Sequence, residues 1–445
     1  MKKLKLKQII TAMNATTNAL KNAEIDCIIH DSRECGLHSD KKILYFAIHG
    51  EQVDGHDFVR DALSKGALFA VVDHELQGEV DTQKLIFVEN TVKALDALGK
   101  YYLKQFDIPK IAITGSVGKT ITKEFVANVL SQKYKVHRSE GNLNTIIGLP
   151  ITIFDLDDTY EIAVLELGTN HFGEIKALTE MVDPDITVIT NIGESHLEFL
   201  ENLEGVFREK NDIFKYSAKD TFKIFNGTIT FLQNHKGEKH YYSYGFDDDN
   251  DLVVRDIDRV DHKYSFYVND EQYFIFNDVY HNVLNAIPAI IIGKQFELSH
   301  EQIQKGLAIT PEVGLRMEIR ENASKNWTII ADCYNANPVS MTSALEYLQA
   351  LPHKNKIVIL GNMLELGVDS QKFHEDIGIL VREMGVRRSI SIGDLAKFYK
   401  FITHYSSADD FIDRFSDEMF PEDAVILVKA SRGIALEKIV ERLVN

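Results

Sequence analysis

One short glycine-containing loop constrains this chain more than any other stretch. The apolar run KIAITG at 110–115 leads into the loop TGSVGKT at 114–120, and a helical pattern follows. A strand, a loop with inward-turning amides and a helix N-terminus together form a phosphate site. The usual P-loop spacing also needs a glycine at position 113, where this chain has isoleucine. The loop is therefore either a nucleotide site of another pattern or a chance Gly-Lys-Thr in a glycine-rich turn.

The residue types of the loop suit ATP. Lys119 can reach the β- and γ-phosphates, and the Thr120 hydroxyl can contact Mg²⁺. The alternative is a βα turn that carries a solvated lysine, but the strand–loop–helix context favours nucleotide binding. The loop residues predicted to bind ATP are Thr114, Gly115, Ser116, Val117, Gly118, Lys119 and Thr120.

Two further apolar runs end in groups that can bind a metal. Glu166 lies at the end of IAVLELG, and His196 follows ITVITNIG. A doubly wound sheet binds its ligands at strand ends, and a carboxylate with an imidazole can ligate a divalent ion. For His196 alone, a packed or capping histidine explains the sequence equally well. Lys210 follows on a helical pattern, and its residue type alone indicates no more than a solvated lysine.

Short apolar runs that alternate with helical patterns divide the chain into three α/β blocks. We predict domains at residues 1–85, 86–310 and 311–445. Alternation of this kind indicates parallel sheets with crossover helices. Within the second block, residues 222–277 read instead as short antiparallel strands inserted into the domain.

Composition excludes several classes of protein. The 445 residues carry a formal charge of −18, which disfavours a nucleic-acid or anionic-membrane partner. The basic N-terminal stretch MKKLKLKQIITAMN reads as the start of a helix rather than a signal peptide, and no apolar run reaches membrane-spanning length. The three cysteines have neither metal nor disulfide spacing. We therefore predict a cytoplasmic protein with no membrane insertion.

Motifs spread over the whole chain carry a family resemblance. They are DSR, LYFAI and DGHDF in the first block, GNLNTIIGLP, ELGTNHFGEI, TNIGESHLEFL and HNVLNA in the second, and GLRME, DCYNANPVSM, LGNMLELG and VKASRG in the third. The loop TGSVGKT matches the family's phosphate loop, which keeps Gly115 and Gly118 and lacks the earlier glycine. Over roughly residues 25–440, the chain resembles the Mur ligase family.

The resemblance implies a fold and an activity. The fold is α/β with three domains: a small α/β domain for a UDP-linked substrate, a central P-loop-type parallel-sheet ATPase domain and a C-terminal Rossmann-like domain. The activity is an ATP- and Mg²⁺-dependent, ADP-forming amide ligation. It joins D-alanyl-D-alanine to UDP-N-acetylmuramoyl-tripeptide through an acyl phosphate, in cytoplasmic peptidoglycan synthesis. We expect a monomer that binds these two substrates and no nucleic acid.

The resemblance also implies residue roles. Catalytic groups are Lys119, Glu166, His196 and Lys210, of which Glu166, His196 and a carbamylated Lys210 join Thr120 in holding Mg²⁺. Beyond the loop, the ATP contacts are Asn282, Arg316 and Asp332. The substrate contacts are Asp31, Ser32, Arg33, Asn142, Asn144, Asn170, His171, Asn335, Asn337, Lys429 and Arg432.

The chain departs from the family pattern at a few positions. They include Val117 and Ile121 in the loop, Val279 before HNVLNA and Ala430 in VKASRG. None of these removes a charged group, but they leave room for a paralogue with altered specificity. The alternatives are a sister Mur ligase or a folylpolyglutamate-type ligase, and a non-enzymatic nucleotide-binding scaffold. The first-block motifs disfavour a folate enzyme, and retention of Lys119, Glu166 and His196 disfavours the scaffold.

Overall fold

The computed structural model describes residues 1–18, 22–38, 40–50, 53–260, 263–276, 279–311 and 314–445. Their strands form sheets of five, nine and six strands in chain order, with an additional two-stranded sheet near the N-terminus. Helices pack on these sheets, so the predicted α/β class with three sheet-containing units is confirmed. The exact boundaries at residues 85 and 310 stay a prediction.

The first unit is built on a small, mostly parallel sheet of order β2-β7-β6-β5-β4, in which only β2 is antiparallel to its neighbour. Strands β1 and β3 pair separately. Its strands are β1 (Leu4–Lys5), β2 (Thr16–Thr17), β3 (Glu24–Ile25), β4 (Cys27–Ile29), β5 (Ile43–Phe46), β6 (Ala67–Val72) and β7 (Leu85–Phe87), and its helices are α1 (Leu6–Ala12), α2 (Val59–Ser64) and α3 (Thr91–Leu103). The predicted N-terminal helix is thus present as α1.

The central unit has nine strands in the order β16-β15-β14-β13-β12-β11-β8-β10-β9. Its strands are β8 (Lys110–Thr114), β9 (Val136–Arg138), β10 (Ile162–Glu166), β11 (Ile186–Ile189), β12 (Phe222–Asn226), β13 (Tyr241–Gly245), β14 (Leu252–Val260), β15 (Lys263–Val268) and β16 (Glu271–Ile275). Its helices are α4 (Lys119–Leu130), α5 (Gly148–Phe154), α6 (Glu174–Val182), α7 (Leu197–Leu200), α8 (Leu203–Lys215), α9 (Asn282–Gln295) and α10 (His300–Leu307). Every residue of β10 and β11 is buried, as in a sheet covered on both faces.

The prediction of an inserted antiparallel unit at 222–277 is only partly right. Strands β12 and β13 are parallel to β11 and continue the central sheet, whereas only the β14-β15-β16 edge is antiparallel. The connection from β12 to β13 contains a 3₁₀ helix at Thr230–His235 instead of a full crossover helix. The helical pattern that marks a parallel connection is therefore missing from the sequence.

The third unit is a six-stranded sheet of order β17-β18-β22-β19-β20-β21, parallel except for its β17 edge. Its strands are β17 (Glu318–Asn322), β18 (Trp327–Asp332), β19 (Asn355–Gly361), β20 (Arg388–Ile392), β21 (Thr403–Tyr405) and β22 (Ala424–Lys429). Its helices are α11 (Pro338–Ala350), α12 (Ser370–Glu383), α13 (Ala408–Arg414) and α14 (Glu437–Val444).

The strand order explains where a site can form. Strand β8 lies between β10 and β11, so the phosphate loop after β8 meets the ends of both neighbours. The ends of β18 and β22 in the third unit, at Asp332 and Lys429, face the same cleft. Among the helices of the described residues, none is long and apolar enough to cross a membrane.

Candidate active site

The phosphate loop has the backbone that its glycines allow. Gly118, directly before α4, has a φ of 83°, and a Cβ there would lie 2.3 Å from Asn285 Oδ1. A side chain at this position would therefore be both strained and too close to α9. Asn191 fixes the loop from the next strand end, because its Oδ1 accepts a hydrogen bond of 2.8 Å from the Val117 amide.

Lys119 is held against its own loop. Its Nζ donates a 2.8 Å hydrogen bond to the Gly115 carbonyl, within the cleft. Removal from bulk water lowers the pKa of Lys119, Glu166 nearby raises it, and Arg316 lowers it further. The ammonium is thus incompletely compensated by protein groups, which suits a residue whose partner is a phosphate.

A cleft of about 640 Å³ separates the central and third units. Most predicted site residues lie together on its walls: Ser116, Val117, Gly118, Lys119, Thr120, Asn142, Asn144, Glu166, Asn170, His196, Asn282, Arg316, Asp332, Asn335, Asn337 and Lys429. A neighbouring cavity of about 620 Å³ shares Asn142, His196 and Asn335 with it and adds Arg432. The cleft is large enough for a nucleotide.

Glu166 has one carboxylate oxygen that is available to a cation. It is buried, and its Oε1 accepts a 2.7 Å hydrogen bond from Asn144 Nδ2. Its Oε2 is buried with no hydrogen-bond partner among the described residues. A buried carboxylate oxygen without a partner is costly, and a hard divalent cation such as Mg²⁺ would satisfy it. Thr120 also lines the cleft, and its hydroxyl oxygen is a second hard ligand atom for such a cation.

His196 is paired with a residue that the sequence did not indicate. Its Nδ1 lies 2.5 Å from Oε2 of Glu365, in the loop after β19 of the third unit. Both residues have a positive φ, 53° for His196 and 61° for Glu365. Burial lowers the pKa of His196, and the bond to Glu365 opposes that shift. With Nδ1–H donating to the carboxylate, Nε2 keeps its lone pair for a metal.

Lys210 lies on α8, outside the residues that line the cleft. It is almost completely buried and forms no hydrogen bond or ion pair with any of the described residues. Burial, with a smaller contribution from Lys119, lowers its pKa to about 7. Its neighbour Glu209 caps the start of α6, since its carboxylate accepts bonds of 2.6 and 2.8 Å from the amides of Gly173 and Ile175. With a pKa of about 7, Lys210 is an amine that is only partly protonated near neutral pH, and it is held in place by α8.

The third unit contributes a buried ion pair and an arginine. Lys429 Nζ donates to Asp332 Oδ2 at 2.6 Å and to the Asn335 carbonyl at 2.9 Å. Arg316 lies with its guanidinium 4.0 Å from the centre of the Tyr334 ring, and its Nε is buried without a hydrogen-bond partner among the described residues. Arg316 is therefore available to an anion in the cleft, whereas Lys429 is already paired.

The remaining predicted cleft residues differ in their availability. Asn337 caps α11 through a 2.8 Å bond from the Ser340 amide, so its side chain has a structural partner. His171 lies outside the cleft lining, with its ring 4.2 Å from that of Phe199. Arg432 lies 3.3 Å from Glu437. Asn282, at the start of α9, accepts a bond from Asn285 and lines the cleft.

The DSR motif lies in the first unit, away from the cleft. Arg33 is 86% exposed and contacts the carboxylate of Asp31 at 2.6 Å, and the same carboxylate accepts from the Arg33 amide at 2.9 Å. Ser32 is buried and donates to Asp61 Oδ2 at 2.8 Å. Asp31 and Arg33 therefore brace a turn in this structure, and a diphosphate contact by Arg33 stays a prediction.

Comparison with known proteins decides the family. Three domain families match: Mur ligase family, catalytic domain, at residues 17–102; Mur ligase middle domain at 113–293; and Mur ligase, glutamate ligase domain, at 315–432. The UDP-N-acetylmuramoyl-tripeptide–D-alanyl-D-alanine ligase of Bacillus subtilis (strain 168) is 34% identical, over 93% of this chain and 92% of its own. The chain belongs to the Mur ligase family.

Solved Mur ligase structures agree with the fold. MurF from Acinetobacter baumannii superposes with a TM-score of 0.90 at 26% identity, covering 100% of this chain and 99% of that one. MurF ligase from Thermotoga maritima, solved in complex with ADP, gives a TM-score of 0.80 at 26% identity, with coverage of 94% and 97%. The three-domain Mur ligase layout predicted from the sequence is therefore confirmed.

Two contacts in this Mur ligase cleft were missed at the sequence level. Asn191 supports the loop, and Glu365 pairs with His196 across two units. Both residues follow buried strands, where a polar residue is a candidate site residue. Glu365 belongs to the LGNMLELG motif, but nothing in the sequence alone indicates that it lies beside His196, 169 positions earlier.

A Glu365→Gln variant tests whether Glu365 orients His196 so that its Nε2 can bind a metal. The amide keeps the shape but loses the charge that favours Nδ1–H, so we expect the Mg²⁺ concentration for half-maximal activity to rise about 10- to 100-fold. The matched control is Glu198→Gln, an exposed glutamate on α7 whose amide donates to the Glu365 carbonyl. An unchanged Mg²⁺ dependence in both variants would assign the pair a purely structural role.

Proposed function

We propose that this protein joins D-alanyl-D-alanine to UDP-N-acetylmuramoyl-tripeptide, with conversion of ATP to ADP and phosphate. The observation that supports this proposal is the cleft. A phosphate loop lines it together with Glu166 and Arg316, whose Oε2 and Nε have no hydrogen-bond partner among the described residues. The whole-chain match to the B. subtilis ligase of this name supports the choice of substrates. Seven further curated relatives, matched over 84% or more of this chain, bear the same name.

ATP is proposed to lie along the cleft. In this arrangement the loop amides and Lys119 contact the phosphates. Asn282 contacts the adenine, and Asp332 contacts the ribose. Arg316 adds a positive charge from the third unit. When bound, Mg²⁺ would neutralise charge that develops on the phosphates. Thr120, Glu166 and His196 are the residues proposed to hold it, and a carbamylated Lys210 would add an anionic ligand.

The proposed reaction has two steps. The tripeptide carboxylate attacks the γ-phosphate of ATP, which forms an acyl phosphate and releases ADP. The dipeptide amine then attacks the acyl carbon, and phosphate leaves from a tetrahedral intermediate. Both steps concentrate negative charge, so their rate depends on fixed positive groups in a site that excludes water. Lys119 on the central unit and Arg316 on the third supply such groups, which requires both units to close on the substrates.

The first unit distinguishes the proposed reaction from the folylpolyglutamate-type alternative. Its DSR and DGHDF motifs lie at the ends of parallel strands, where a sugar nucleotide can bind. Asn142, Asn144, Asn170, Asn335 and Arg432 line the cleft and its neighbouring cavity, where the two peptide ends are proposed to meet. The proposed setting is the cytoplasm, where these precursors are made.

A phosphate-release assay tests the proposal directly. The full chain is incubated with Mg²⁺, ATP and UDP-N-acetylmuramoyl-tripeptide that has either lysine or diaminopimelate as its third residue. D-Alanyl-D-alanine or another amine substrate is then added. Release is expected only with a tripeptide and D-alanyl-D-alanine together. D-Alanine, L-glutamate and dihydrofolate with glutamate serve as controls, and release with one of these in place of the proposed pair would contradict the assignment.

Arg33→Ala tests the proposed UDP contact in the first unit. The planar guanidinium suits a pair of diphosphate oxygens. We therefore expect the KM for the UDP-tripeptide to rise while the KM values for ATP and D-alanyl-D-alanine stay unchanged. The control is Arg60→Ala, which removes an exposed arginine from α2 of the same unit. No change in any KM would mean that Arg33 only braces the turn with Asp31.

A further inference from the structure

A group of imidazoles and carboxylates lies in the first unit, outside the cleft. It comprises His49, Asp54, His56, Asp73 and His74, here called the His/Asp cluster. His49 lies after β5, Asp54 and His56 lie in the turn that precedes α2, and Asp73 and His74 follow β6. The rings of His56 and His74 have centroids 4.0 Å apart, and those of His49 and His56 are 5.8 Å apart.

The buried member, His56, has both ring nitrogens in hydrogen bonds. Its Nε2 accepts a 3.2 Å hydrogen bond from the Asp73 amide, and Asp73 Oδ1 lies 3.2 Å from the same nitrogen. Because Nε2 accepts, Nδ1 carries the proton and donates to Asp54 Oδ1 at 2.7 Å. The lone pair of Nε2 is therefore the one that His56 can offer to a metal ion. A carboxylate that holds the other nitrogen of an imidazole in this way is the usual support of a metal-binding histidine.

Three ligand atoms are already close together. Asp54, His56 and His74 each offer one, and the three lie within 4.8 Å of one another. His49 Nε2 lies 3.4 Å from Asp54 Oδ2 and can act as a fourth ligand. Since bonds to Zn²⁺ are about 2.0–2.2 Å long, only a small rearrangement of the set is needed. His49 and His74 are exposed enough to make that movement.

The donor set selects the kind of ion. Imidazole nitrogens with one carboxylate oxygen suit Zn²⁺ and related transition metals, whereas Mg²⁺ and Ca²⁺ prefer oxygen ligands. We propose that the His/Asp cluster is a binding site for a divalent transition-metal ion such as Zn²⁺, held by Asp54, His56 and His74 with His49 as the fourth ligand. The ion links the segment after β5, the turn before α2 and the end of β6, and so stabilises the first unit.

Metal titration of the full-length chain tests this site. After removal of metals by a chelator, the protein is titrated with Zn²⁺ by calorimetry in excess Mg²⁺, without nucleotide. His74→Ala and His49→Ala are compared with His404→Ala, an exposed histidine of the third unit. We expect one Zn²⁺ per wild-type and His404→Ala chain, and an affinity lowered at least about tenfold in the other two variants. Co²⁺ as a substitute should give a visible absorption band that the same two variants lose.

Thermal unfolding separates a metal site from a hydrogen-bonded network. Zn²⁺ should raise the midpoint of the wild type and the control more than that of the His74→Ala and His49→Ala variants, because a ligand that binds only the folded chain stabilises it. These two histidines are exposed, so their replacement leaves the metal-free midpoint near that of the wild type. Equal Zn²⁺ stoichiometry, affinity and midpoint shift in all four proteins would overturn the proposal and leave the cluster as a hydrogen-bonded network.

Discussion

A Lys119→Ala protein is expected to turn over at least about a hundredfold more slowly than the wild type, the scale for loss of one charge contact in a transition state. Lys119 is the cation of the phosphate loop, and its only hydrogen-bond partner among the described residues is the Gly115 carbonyl. With no carboxylate partner there, the ammonium can turn toward the γ-phosphate. Packing cannot replace it, because the lost interaction is with charge that develops during the reaction. Initial rates of phosphate release at saturating ATP measure the effect.

The folded state of this variant should be at least as stable as that of the wild type. The cleft lowers the pKa of Lys119, so folding disfavours its charged form at pH 7, where an unfolded lysine is charged. Removing the charge removes that cost, and the thermal midpoint should not fall. Lys133→Ala, an exposed lysine just beyond the end of α4, is the matched control and should keep its full rate. A folded Lys119→Ala protein with near wild-type phosphate release would refute the assignment.

The grouping of the phosphate loop with Glu166 and His196 could be predicted from the sequence, because it depends on the order of strands along the chain. The phosphate loop, Glu166 and His196 each follow a buried parallel strand, and parallel strands end at one edge of a sheet. The pattern of apolar runs therefore brought together groups up to 82 positions apart, from Thr114 to His196. Residues 116–120 of the loop, Glu166 and His196 line one cleft, as that argument requires, whereas Thr114 and Gly115 lie outside its lining.

The contacts between units could not be predicted in the same way. The pairing of His196 with Glu365 and the exposure of Arg316 to the cleft depend on how two separately folded sheets face each other. No periodicity in the sequence records that orientation. The parallel direction of β12 and β13 was missed for a different reason, because a 3₁₀ helix occupies the connection where a crossover helix was expected. In the first unit, Arg33 pairs with Asp31, which its residue type alone did not decide.

Lys210→Ala should lose activity to an extent similar to Lys119→Ala, for a reason specific to its burial. The pKa of Lys210, lowered to about 7 by desolvation, leaves much of the amine neutral at physiological pH. A neutral amine can attack CO₂ and lose a proton to give a carbamate, whereas an ammonium cannot. The carbamate would be an anion near Lys119, and its oxygens would be hard ligands for Mg²⁺. Carbamylation would therefore convert a buried lysine into a metal ligand.

This chemistry fixes the direction of the pH dependence. Below about pH 7 Lys210 is mostly protonated and the carbamate should be lost, so bicarbonate-dependent activation should increase as the pH rises through about 7. Protein incubated with ¹³C-labelled bicarbonate should show a carbamate carbon by NMR that is absent from Lys210→Ala. Small carboxylates such as formate should restore part of the activity of that variant, because they can occupy the space of the missing group. Lys215→Ala, an exposed lysine on the same helix, is the control and should keep both the signal and the rate. Wild-type protein without a carbamate signal, together with an active Lys210→Ala variant, would show that Lys210 acts as an unmodified lysine.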